Sequence, residues 1–90
     1  ASRSGGIPLS PKVRQYMEPR FRADFSAVRL HTDTRAGALS RKMRARAFTV
    51  GAHIFFAPGQ YQPDTPQGRE LLAHELTHTI QQGVAPQGRS

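Results

Sequence analysis

Apolar residues recur along this chain with two periods, and the change of period marks the elements. Ser10 followed by Pro11 is a helix start, with a side-chain oxygen to cap and a proline in the first turn. Val13 and Met17, four apart, give that helix one apolar edge, and Pro19 predicts its end at Glu18 by disfavouring helical geometry in the residue before it. From Phe25 to His31 the pattern changes. Val28 and Leu30 alternate about Arg29, as in a short strand. Thr32, Asp33 and Thr34 offer caps for a second helix, whose apolar stripe reads Ala36, Leu39, Met43 and Ala47. Residues 48–50 and 53–57 read as two strands joined by a tight turn at Gly51. Residues 58–63 form a loop. Asp64 or Thr65 then caps a third helix, with Pro66 in its first turn and Gly83 as the stop after Gln82.

The order is helix, strand, helix, strand–strand, helix, which predicts an α+β fold rather than an alternating parallel array. Ninety residues allow one domain. Residues 1–9, rich in Gly, Ser and Pro, read as a flexible leader; 10–83 hold the domain; 84–90 read as a flexible tail. Ala1 in place of Met reads as the start of a piece of a longer protein. A chain of this size has a small core. It contains no cysteine, so neither a disulfide nor a thiolate metal site can staple it, whereas a histidine-bound metal could. No apolar run approaches the ~20 residues of a membrane-spanning helix.

Charge changes the picture little. Thirteen Lys and Arg against six Asp and Glu give +7. That balance suits an acidic partner, an anionic surface or nucleic acid. The charges are scattered and few aromatics lie among them, so a solvated arginine-rich surface is the better reading and nucleic acid is disfavoured.

The chemistry concentrates at His74-Glu75-Leu76-Thr77-His78. Helical residues four apart share a face, so His74 and His78 can aim two imidazoles at one ion. Zinc takes such nitrogens at about 2.0–2.1 Å. Glu75, beside the first ligand, can reach a metal-bound water instead of the metal and act as its general base. Leu72, Leu76 and Ile80 pack one side of the helix, while Leu71, His74 and His78 form a neighbouring stripe that could line a cleft.

Catalytic zinc has three protein ligands and a water as a rule. After His78 no His, Asp or Glu follows, so a third ligand comes from upstream, comes from elsewhere in a larger protein, or does not exist. His31, at a strand end, is the first candidate, with Asp33 as either a carboxylate that orients an imidazole or a helix cap. His53, Glu18, Asp64 and Glu70 rank below it. Tyr61 could serve a tetrahedral oxyanion or pack the loop on the core. Gln81 and Gln82 could hydrogen-bond substrate or the helix end, and an exposed pair is the simpler reading.

Four blocks carry a wider resemblance: Asp24-Phe25-Ser26-Ala27-Val28-Arg29-Leu30-His31-Thr32-Asp33; Ala45-Arg46-Ala47-Phe48-Thr49-Val50-Gly51; Ile54-Phe55-Phe56-Ala57-Pro58-Gly59-Gln60-Tyr61; and Leu71-Leu72-Ala73-His74-Glu75-Leu76-Thr77-His78-Thr79-Ile80-Gln81-Gln82. In this order, the stretch from Pro8 to Gln82 resembles the bacterial eCIS core domain of proteins linked to extracellular contractile injection systems. The resemblance implies a small zincin-like fold, a short mixed sheet packed on helices with the HExxH segment as the active-site helix. It implies zinc, with His74 and His78 as ligands and Glu75 as the catalytic residue, and it supports His31 as the further ligand. His53 departs from the acidic or amide residue usual at that turn and receives no site role.

The expected function is a zinc metallopeptidase domain of a larger toxin or effector. Its substrate would be a peptide or protein, its own parent chain included, and injection-particle proteins would be its partners. Such a protein would be made in the bacterial cytoplasm and exported or delivered by the particle. The alternative is a non-catalytic loading or targeting module that keeps the fold.

Overall fold

A computed structural model describes residues 6–85. Its elements are β1 (Ile7–Pro8), α1 (Pro11–Phe21), β2 (Arg29–His31), α2 (Thr34–Lys42), β3 (Ala47–Val50), β4 (His53–Phe56) and α3 (Pro66–Gln81). The four strands form one mixed sheet in the order β1-β2-β4-β3. The β1–β2 and β3–β4 pairs are antiparallel, and β2 runs parallel to β4. The fold is therefore α+β, with a short mixed sheet and three helices.

Strand alternation decides which side chains meet the core. Leu30 lies opposite Ile54, and Ile54 opposite Thr49, while Ala47 lies opposite Phe56. Leu30, Ile54 and Phe56 are buried with Val13 and Met17 of α1 and Leu72 and Leu76 of α3. Leu72 and Leu76 have no exposed surface, and each contributes about 1.5–3 kcal/mol by burial. His31, Phe55 and Phe48 are paired in the same way and point to the other face.

Helix α1 starts as expected, with Ser10 Oγ accepting from the Val13 N–H at 3.2 Å. Its end differs from the expectation. The helix passes through Pro19 to Phe21. Pro19 removes one hydrogen bond near the terminus, where the loss is smallest. Buried Met17 and the core contact of Phe21 hold the last turn. Arg22, at φ 54°, then turns the chain out, its N–H bonding Glu18 O. The Glu18 carboxylate accepts from Arg14 Nε at 2.8 Å and Phe25 N–H at 2.9 Å, which pins the following segment. Within 25–31 only Arg29–His31 is strand. Phe25 and Val28 reach the core through a turn closed by the Val28 N–H on Phe25 O.

The second helix corrects its stripe. Asp33 caps it, accepting from the Ala36 N–H at 2.9 Å. The residues it buries are Ala36, Gly37 and Ser40, whereas Leu39 and Met43 are exposed and Ala47 belongs to β3. Close packing explains the shift. A Cβ on Gly37 would stand 3.1 Å from Pro58 Cγ, so the helix seats its small residues where the backbone must approach.

The boundaries of the domain reach further than the Gly/Pro pattern implied. Ile7 and Pro8 pair with Leu30 and Arg29, and Leu9 is buried. At the other end Ala85 is buried in the core. The remaining leader and tail, residues 1–5 and 86–90, lie outside the described residues.

Candidate active site on the third helix

Helix α3 is fixed at both ends. Thr65 Oγ1 accepts from the Gly68 N–H at 3.0 Å, and Pro66 occupies the first turn. Gly68 abuts Gln62 so closely that a Cβ would overlap its carbonyl, which seats the helix start on the preceding loop. At the far end Gln82 Oε1 accepts from the Gly51 N–H at 2.7 Å and ties the helix to the β3–β4 turn. Gln82 is thus a tether and not a free surface amide.

The buried face of α3 reads Gly68, Leu72, Glu75, Leu76 and Thr79. Glu75 is the exception by chemistry, a carboxylate only 4 % exposed. A buried carboxylate needs a donor. Thr49 on β3 supplies it: its hydroxyl lies 2.7 Å from Glu75 Oε1 and 3.3 Å from Glu75 O. Among the described residues the bond engages only one of the two carboxylate oxygens. Thr49 escaped the sequence reading, although a signal was present. The alternation that sends Phe48 and Val50 outward sends Thr49 inward, and an inward hydroxyl requires a partner.

His74 is exposed and His78 half-buried, one turn apart. Their rings meet edge to face with centroids 4.9 Å apart. The structure therefore brings together His74, Glu75 and His78 on one helix, with Glu75 turned toward β3 and His74 toward solvent.

It places His31 elsewhere. His31 lies on the sheet face opposite the Thr49–Glu75 contact, stacked on Phe55 with centroids 4.3 Å apart. Its Nε2 lies 2.9 Å from His53 Nδ1. Among the described residues no group of three His, Cys, Asp or Glu is arranged to hold a metal ion. Burial lowers the His31 pKa first, His53 lowers it further, and Asp33 opposes both.

The other candidates have structural partners. Asp33 caps α2 and Glu18 holds the end of α1. Asp64 lies 3.7 Å from Lys12, both exposed. Glu70 is exposed. Tyr61 packs on Phe56 with ring centroids 5.2 Å apart, and burial raises its pKa. That is the core-packing role. A groove of about 600 Å³ runs between α1 and the first half of α3, lined by Lys12, Tyr16, Asp64 and Arg69 among others. Neither histidine of α3 nor Glu75 lines it. Among the described residues, no helix is long and apolar enough to cross a membrane.

The eCIS core domain family matches residues 8–86, nearly the whole chain, and the chain belongs to that family. It is thereby a domain associated with contractile injection systems. No curated protein and no solved structure matches it.

Proposed function

We propose that this eCIS core domain is a zinc-dependent peptidase domain of a larger injection-system protein, with His74 and His78 as metal ligands and Glu75 as general base. One observation carries the reading: two imidazoles one helical turn apart flank a carboxylate whose Oε1 is anchored by the Thr49 hydroxyl. The donor chemistry suits zinc, which takes imidazole nitrogen readily. His74 and His78 would hold the ion. When bound, the ion acidifies a water and polarises a carbonyl. Thr49 fixes one oxygen of Glu75, which restricts the carboxylate to one orientation. The other oxygen takes the proton of the attacking water and returns it to the leaving amine. The substrate class is a peptide or protein, the parent chain included.

The burial of Glu75 supports a second reading. A carboxylate bonded to β3 also clamps helix to sheet, and a domain with this clamp and a net charge of +7 could serve as a loading module for an acidic partner on the particle. Hydrolysis of a peptide library by the zinc-loaded chain, compared with Glu75→Gln, separates the two. The peptidase reading expects cleavage that Glu75→Gln reduces by roughly 10²-fold or more while zinc is retained. Absence of cleavage by the zinc-loaded wild type, with particle loading intact in Glu75→Gln, would establish the module instead.

A further inference from the structure

The pair His31 and His53 lies on the sheet face away from α3, on the parallel strands β2 and β4. We propose that these two histidines form a second metal site, selective for divalent copper or nickel and independent of His74 and His78.

The distance between the rings is the first argument. His31 Nε2 and His53 Nδ1 are 2.9 Å apart. Two nitrogens bound at about 2.0–2.1 Å are separated by about 2.9 Å when they subtend a right angle at the ion, and by about 3.3 Å at the tetrahedral angle. The pair therefore has the bite of adjacent positions in a square-planar or octahedral shell. Copper and nickel prefer such geometry with imidazole nitrogen, and zinc the wider angle.

Rigidity is the second argument. The His31 ring is stacked on Phe55, 16° from parallel, and Phe55 is stacked on Phe48 with centroids 5.0 Å apart. Residues of three adjacent strands thus fix the plane of one ligand, which lowers the ordering cost of binding. His53 is exposed and His31 half-buried, with Gly6 set close against the His31 Nε2 edge.

Charge is the third. Arg29, on the same face, has its guanidinium turned back onto the Ser26 and Val28 carbonyls. The Asp33 carboxylate acts on His31 as a nearby negative charge. Which of the two facing nitrogens carries the hydrogen depends on the tautomer of each ring. Metal binding requires the tautomers in which each ring holds its hydrogen on the far nitrogen, which leaves a lone pair on His31 Nε2 and on His53 Nδ1.

Nickel titration of the full chain by calorimetry tests the site. It is read in a His74→Ala/His78→Ala background that removes the helical ligands. One equivalent should bind, and adding His53→Ala should weaken binding roughly tenfold or more. Binding by the background variant that is unchanged by His53→Ala would overturn the proposal, as would no binding. Should His53→Ala unfold, copper broadening of ring resonances in the background variant reads the same site. Joint broadening of His31 and His53 supports it, and any other pattern overturns it. The result does not depend on whether His74 and His78 bind zinc, because that pair is read separately in His31→Ala/His53→Ala.

Discussion

Removing the Thr49 hydroxyl tests how Glu75 is held. Thr49→Val keeps the branched shape that suits a strand and deletes only the donor. The bond removed is 2.7 Å long and ends on a carboxylate that is 4 % exposed. Hydrogen bonds to charged groups contribute about 1.5–3 kcal/mol. A buried acceptor left without its donor places the cost at the upper end of that range. For a domain near this size each kcal/mol moves Tm by about 4–8 °C. Thr49→Val should therefore lower Tm by roughly 10 °C or more in a calorimetric or circular-dichroism melt. Thr49→Ser, which keeps the hydroxyl, should lose much less. Adding Glu75→Met to Thr49→Val should restore part of the loss, since removing both partners leaves nothing unpaired. If Thr49→Val melts within about 2 °C of the wild type, the bond does not hold Glu75.

Two further substitutions probe the frame around the site. Gly68→Ala sets two effects against each other: alanine gains about 1 kcal/mol of helix propensity, while its Cβ would overlap the Gln62 carbonyl, and overpacking against backbone costs about 1–3 kcal/mol. The clash should win, so the urea midpoint should fall, and a rise would show that the α3 start is not seated on that loop. Asp24 governs an acid-side effect. The Ser26 N–H donates to Asp24 Oδ1 at 2.9 Å and holds its pKa below the ordinary value. This contribution is complete above the unfolded value of about 3.9 and is lost as pH falls through the lower folded value. Carboxyl titration by NMR should place Asp24 below that value, and Asp24→Ala should return the Ser26 amide to solvent exchange; an Asp24 at or above it would contradict the turn.

What was legible in the sequence followed from periodicity and caps. Ser10, Asp33 and Thr65 mark helix starts because each places an oxygen where an orphan amide needs one. Spacing alone set His74 and His78 on one face of α3. The misreadings have specific causes. Pro19 was outweighed by the packing of Met17 and Phe21. The stripe of α2 was drawn through Leu39 and Met43, whereas close approach to Pro58 selects Ala36, Gly37 and Ser40. Strand β1 left no signal because two residues, one a proline, join the sheet by backbone pairing alone. Strand ends had marked His31 as reaching a rim, but the register that sends it to the face away from α3 is a tertiary property.

The most direct measurement is an anomalous-scattering map at the zinc edge from crystals of the full chain grown with zinc. The account expects a peak about 2.0–2.1 Å from a ring nitrogen of both His74 and His78, with Glu75 within reach of a water on the ion. A map in which zinc never sits between His74 and His78, at saturating metal, would contradict it.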